Sequence, residues 1–105
     1  MIRGEVWLAA LDPTVGSEIA KTRPCVIVSP NDMNLHLRTV VLAPMTTGSR
    51  SAGFRSPVTF EGTKGLILLD HMRTLDKARL IKRLGKVSSK TLEATLVALR
   101  EMFST

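Results

Sequence analysis

Arg23 stands immediately before Pro24 and the apolar run Cys25-Val26-Ile27-Val28. Proline fixes its own φ and pushes the preceding residue towards extended backbone, so this guanidinium rides on a stiff piece of chain. An unpaired charge does not enter an apolar core, and Arg23 is therefore expected to emerge at the rim of a sheet. There its planar fork of donors matches the oxygens of a phosphate group. Such a group could hold a phosphate under attack and offset the extra negative charge of a pentacoordinate transition state. The competing reading is an ion pair from Arg23 to Asp12 or Glu18 that fastens the preceding loop. Residue type leaves both open.

Thr46 and Thr47 follow Pro44-Met45, with Gly48 next. Hydroxyls and backbone amides at a strand exit can hydrogen-bond phosphate oxygens, although threonine, glycine and serine are also ordinary turn formers. Asp70 and His71 close the apolar run Leu66-Ile67-Leu68-Leu69. Neighbours in a strand point to opposite faces, so only one of the pair readily faces a given groove. His71 has an unperturbed pKa suited to proton transfer near neutrality, or it sits at the surface or stacks on a base. Asp70 is a hydrogen-bond acceptor or a base, and His36, in a polar segment, is given no role. Lys77, Arg79, Lys82, Arg83, Lys86 and Lys90 occur with no acidic residue between Asp76 and Glu93. That run either lines a groove for a phosphate backbone or forms a solvated face. Aromatic platforms are few (Trp7, Phe54, Phe60 and Phe103), so extensive base stacking is not indicated.

What is missing narrows the chemistry. There is no glycine-rich phosphate loop followed by Lys-Ser or Lys-Thr and no dinucleotide fingerprint. Two distant histidines, His36 and His71, with scattered acids do not make a zinc or two-metal site, so no metal or other cofactor is expected. A nuclease built this way would act on RNA, whose 2′-OH can attack the adjacent phosphate, leaving the protein to supply a base, an acid and charge stabilisation.

The elements that must position these groups are short. Residues 6–11 read as a first strand, and 12–24 as a loop punctuated by Asp-Pro, Gly and a second Pro. Residues 25–29 form an unbroken apolar strand suited to burial on both faces. Residues 31–38 are polar and loop-like, with room for a helical turn. Residues 40–45 are a third strand, 46–55 a Gly/Ser-rich loop, and 57–60, 65–69 and 81–87 further strands. Residues 72–76 either continue the strand before them or turn out of it. Ser88 or Ser89 can cap a final helix whose apolar stripe is Leu92, Leu96, Leu99 and Phe103. Many short strands and one terminal amphipathic helix predict a mainly β domain with some α structure, a small bent barrel with the helix packed against it.

Composition agrees with one such domain over residues 1–105. Hydrophobic residues make up 44%, too many for a disordered chain. A net charge of +6 and a pI near 10.3 favour polyanionic partners. The single cysteine, Cys25, allows no internal disulfide, suits a reducing cytoplasm and lies in an apolar strand where packing is its expected role. No secretory leader is read at the charged start Met1-Ile2-Arg3-Gly4-Glu5, and no apolar run approaches the ~20 residues of a membrane span.

The order of motifs is similar to that of the MazF/PemK/Kid toxins. Arg3-Gly4-Glu5-Val6-Trp7, Leu11-Asp12-Pro13-Thr14-Val15-Gly16-Ser17-Glu18 and Thr22-Arg23-Pro24 carry the start of the likeness. It continues through Asn34, Val40-Val41-Leu42-Ala43-Pro44-Met45-Thr46-Thr47, Gly53-Phe54, Leu69-Asp70-His71, Arg73-Thr74-Leu75-Asp76 and Leu84-Gly85-Lys86-Val87. The resemblance implies a homodimer with an SH3-like barrel, the toxin of a type II toxin–antitoxin pair. It implies metal-independent cleavage of single-stranded mRNA to a 2′,3′-cyclic phosphate and a 5′-OH end, halting translation and growth. The family's catalytic arginine and threonine fall on Arg23 and Thr46. Kid-like members use an aspartate, a histidine and a second arginine; Asp70 matches the first, but Ser17 and Leu68 stand at the other two positions. The MazF-type arrangement is therefore expected, with Asp70 and His71 as auxiliaries. Where the family commonly has Gln, His71 would read or stack on a base. RNA contacts are expected at Ser17, Glu18, Lys21, Thr47, Arg50, Arg55, Arg73, Lys77 and Arg79. The groove would run along the dimer interface between the 12–22 and 46–55 loops, where an antitoxin would lay an acidic, initially disordered tail. Two other readings stand beside this one. A CcdB-like gyrase inhibitor would carry a Trp-Gly-Ile tail where this chain ends Phe103-Ser104-Thr105. A non-catalytic RNA-binding barrel would bind without cutting.

Overall fold

Residues 1–11 and 21–105 are those described by the computed structural model. Within them the elements run β1 (Glu5–Ala10), β2 (Thr22–Ile27), α1 (Asn31–His36), β3 (Thr39–Thr46), β4 (Arg55–Phe60), β5 (Thr63–Leu68), β6 (Arg73–Asp76), β7 (Leu80–Lys86) and α2 (Ser89–Met102). All strand pairs are antiparallel, in the order β4-β5-β3-β2-β1-β7, with β6 also paired to β3. The expected architecture, mainly β with a C-terminal helix, is the one observed.

β3 organises the sheet. One edge pairs with β6 from Thr39↔Asp76 to Leu42↔Arg73 and then with β5 at Met45↔Ile67 and Thr46↔Leu66. The other edge pairs with β2 from Ile27↔Leu42 to Cys25↔Pro44. Both faces are covered, which is why β2 and β3 are apolar without alternation. Val26, Val28, Ala43 and Met45 join Val6, Val58, Ile67, Leu69 and Val87 in one core, against which Leu92, Ala98 and Leu99 of α2 pack. Cys25, Ile27, Val40 and Leu42 enter a second core with Ala9, Leu11, Leu75 and Leu80. Alternate residues of one strand thus feed two cores.

Several boundaries differ from the expected ones for physical reasons. β2 begins at Thr22 and takes in Pro24, which lies opposite Leu8 of β1. Residues 31–38 contain a six-residue helix, α1, held from inside by buried Asn34, whose amide donates to the Ser29 carbonyl at 2.9 Å. Residues 69–71 make a 3₁₀ turn, so 73–76 leave β5 and form a separate strand against β3. α2 is capped by Ser88, whose hydroxyl accepts from the Thr91 amide at 3.1 Å. Leu92, Leu96 and Leu99 are half-buried, but Phe103 lies past the last turn and is 72% exposed, so it is not part of the packed stripe. The fully buried residue of α2 is Thr95, whose hydroxyl donates to the Thr91 carbonyl (2.8 Å) and pairs with the Ser56 hydroxyl of β4 (3.1 Å). Among the described residues no helix is long and apolar enough to cross a membrane.

Candidate active-site groove

The β2–β3 ladder fixes the two residues of greatest interest. Its pairs run Ile27↔Leu42, Val26↔Ala43 and Cys25↔Pro44, and Arg23 of β2 and Thr46 of β3 lie two residues beyond the last pair. Both line an open groove of about 340 Å³ whose apolar part is made by Met45, Val58 and Phe60. Arg23 is exposed, and among the described residues no carboxylate pairs with it. Asp12 and Glu18, its alternative partners, lie outside the described residues, as does Ser17.

Thr46 is oriented by its neighbours. Its Oγ1 accepts from the Gly48 amide at 3.3 Å, which leaves the hydroxyl proton available to an incoming anion. Gly65 of β5 packs against the same residue: a Cβ there would stand 2.6 Å from the Thr46 carbonyl oxygen. Only glycine allows β5 so close. Thr47, expected as an RNA contact, also lines the groove.

The opposite wall is a β-hairpin whose contribution sequence reasoning missed. Phe60 pairs with Thr63, leaving a two-residue turn of Glu61 (φ 50°) and Gly62 (φ 78°). Positive φ at both positions is the type I′ pattern. This turn and the start of β5 bring Glu61, Thr63 and Lys64 to the groove. The available signal was weak: Gly62 stands between two β-rich runs, but Glu-Gly is not one of the usual hairpin pairs, and the Phe60↔Thr63 pairing is what sets the tip.

Asp70, His71 and Arg55 form a different constellation. Arg55 grips Asp70 with Nε on Oδ1 (3.2 Å) and Nη2 on Oδ2 (2.9 Å), and its Nη1 donates to the Arg50 carbonyl at 3.2 Å. The Leu69 amide donates to the Phe54 carbonyl at 3.2 Å, and His71 Nε2 lies 3.6 Å from Asp70 Oδ2. The Arg55 hydrogen bonds hold the Asp70 carboxyl below the usual carboxylate range against the opposing effect of burial, and Asp70 in turn raises Arg55. Arg55, expected as an RNA contact, and Asp70, expected as an auxiliary, are thus paired with each other. Neither they nor His71 are among the residues lining the groove.

Of the other expected RNA contacts, the side chains of Arg73 and Lys77 have partners within the chain. Arg73 Nη1 donates to the Leu11 carbonyl at 3.0 Å, and Lys77 Nζ donates to the Asn34 carbonyl. Arg50 and Arg79 do not line the groove either. Lys21 lies two residues from Arg23 with φ 67°, and its carbonyl accepts from the Leu11 amide at 2.9 Å where β1 and β2 meet. The basic run is divided in the same way: Arg83 Nε donates to Glu5 Oε2 at 2.7 Å, and Trp7 Nε1 to Glu5 Oε1 at 3.1 Å. Burial opposes the Glu5 charge, but the Ile2 amide, Trp7 and Arg83 outweigh it and keep the carboxyl below its ordinary pKa. Cys25 is buried, and burial pushes its thiol up to about 12 despite nearby Arg73, so it supplies no thiolate.

Residues 2–103 match the family described as PemK-like, MazF-like toxins of type II toxin–antitoxin systems. The chain is 42% identical over 102 residues to the endoribonuclease PemK of Escherichia coli, covering 91% of this chain and 77% of that protein. It is 40% identical over 98 residues to the endoribonuclease MazF of Staphylococcus epidermidis, covering 87% and 82% respectively. Among solved structures, MazF from Deinococcus radiodurans has the same fold, with a TM-score of 0.86 at 22% identity over 100% of this chain and 97% of that one. An endoribonuclease from a mycobacterial species, solved in complex with its cognate antitoxin, gives a TM-score of 0.81 at 27% identity over 96% and 92%.

Proposed function

The chain belongs to the PemK-like, MazF-like toxins of type II toxin–antitoxin systems, and we propose that it is an endoribonuclease that cuts single-stranded mRNA in the Arg23–Thr46 groove. The observation that carries the site is their convergence: an exposed guanidinium on β2 and an oriented hydroxyl on the adjacent β3 line one open cavity. The endoribonuclease relatives support the reaction type.

In the reaction the ribose O2′ bonds to the adjacent phosphorus and the bond from phosphorus to O5′ breaks. The 2′-OH loses its proton and O5′ gains one, giving a 2′,3′-cyclic phosphate and a 5′-OH end. Arg23 donates to the non-bridging oxygens and offsets their charge as it grows in the transition state. Thr46 donates its hydroxyl proton to the same group, and Lys64 adds a second positive charge on the facing wall. No cofactor is required for this chemistry.

The protein works in the cytoplasm as a homodimer, with the groove along the interface. The solved complex of a similar endoribonuclease with its antitoxin supports a cognate antitoxin here, with an acidic tail covering the same cations. Neither gyrase inhibition nor binding without cleavage has an observation in its favour. The test is incubation with a long RNA in EDTA, followed by mapping of the new 5′ ends. Discrete 5′-OH ends are expected from the unaltered protein, and Arg23→Ala should remove them while leaving the fold intact. Intact RNA with the unaltered protein would overturn the activity; undiminished cutting by the variant would overturn the site.

A further inference from the structure

Glu61 is an odd residue for its position. The first place of a two-residue hairpin turn with positive φ normally takes Asn, Asp or Gly, and here a glutamate holds φ 50°. A non-glycine residue in that region carries strain, and strain retained at a cavity points to a use.

The surroundings sharpen the point. Among the described residues Glu61 is the only carboxylate lining the groove, beside Arg23 and Lys64. Among those residues it makes no ion pair with either cation, so it does not serve to neutralise them. A carboxylate repels phosphate. Where Glu61 stands, the bound strand must therefore present a base rather than its backbone. Single-stranded RNA allows this, because an unstacked base can turn out and be read on its Watson–Crick edge.

A carboxylate only accepts hydrogen bonds, through two adjacent oxygens. Guanine offers two adjacent donors, N1–H and the N2 amino group. Adenine and cytosine offer one amino group beside an acceptor, and uracil one N–H between two carbonyl oxygens. Resting on the endoribonuclease reading above, we infer that Glu61 is a specificity-determining residue that selects guanine at one fixed position near the phosphate held by Arg23 and Thr46.

The experiment uses the full chain and an RNA library with randomised sequence. Unaltered protein, Glu61→Gln and Glu61→Asn are each incubated with it, and the cut sites are sequenced. The unaltered protein should favour guanine at one position relative to the cut. Both variants should lose that preference by about ten-fold or more in relative cutting rate, with preferences elsewhere unchanged. Glu61→Asn should also melt at or above the unaltered protein, because asparagine suits the turn; stability and selectivity then move in opposite directions, as a purely structural glutamate would not allow. The inference falls if the unaltered protein cuts without any guanine preference, if the variants keep it, or if cutting drops equally at all sites. Absence of all cleavage by the unaltered protein instead removes the activity itself, a separate and recognisable failure.

Discussion

Thr46 acts through one hydroxyl, and the Gly48 amide already occupies one of its lone pairs. Thr46→Val keeps the β-branched shape and deletes only the donor. Single-turnover cleavage should fall by roughly 10²–10³-fold, as for other removed transition-state donors, with little change in melting temperature. Thr46→Ser should recover most of the rate. Residue type alone left Arg23 and Thr46 open between site and scaffold; the motif resemblance singled them out. Glu61 and Lys64 were singled out by neither. An exposed acid and lysine look like any solvated pair until strand pairing shows that they face the same cavity as Arg23. The Arg55–Asp70 clamp was hidden for a related reason: its partners are 15 positions apart and meet through the β4–β5 register, in which Arg55 lies opposite Leu68.

Elements set the spacing of the site, and two of them can be perturbed separately. At Gly65, where β5 presses on β3, a methyl group would collide with the Thr46 carbonyl. Gly65→Ala should cost about 1–3 kcal/mol in urea denaturation, as overpacked sites do, and should lower cleavage further by shifting Thr46. The Arg55–Asp70 clamp ties the first residue of β4 to the 3₁₀ turn after β5. A carboxyl whose pKa is depressed on folding adds stability above its unfolded value, and loses that contribution as pH falls through the folded value. Amide exchange at Leu69, which bonds the Phe54 carbonyl, should therefore be slower in the unaltered chain than in Asp70→Asn at about pH 6, and the difference should shrink as pH falls below the ordinary carboxylate range. A difference that persists in acid would show that the clamp is not what orders this segment. The short strands were legible because apolar runs broken by Gly and Pro admit few alternatives. β6 was not, since four residues hold too little pattern to say which neighbour they join.

At the scale of the molecule, the net charge of +6 is a weak guide to where a polyanion lies, because Arg55, Arg73, Lys77 and Arg83 all have partners within the chain. The useful positive charge is local. Binding of an RNA with 2′-deoxyribose at the cut site, followed by fluorescence anisotropy over a salt series, measures it without chemistry. On single strands each neutralised phosphate adds about −0.7 to the slope of log affinity against log salt, so Lys64→Ala should flatten that slope by about 0.7. An unchanged slope would place Lys64 away from the strand. The seating of Arg23 on β2 and Thr46 on the adjacent β3 also constrains how such a protein can be silenced. Two groups seated on neighbouring strands of one sheet cannot be moved apart without unzipping it, so no gentle push from a distant surface will disarm them. Whatever restrains this protein has to fill the trough itself: a plug rather than a lever.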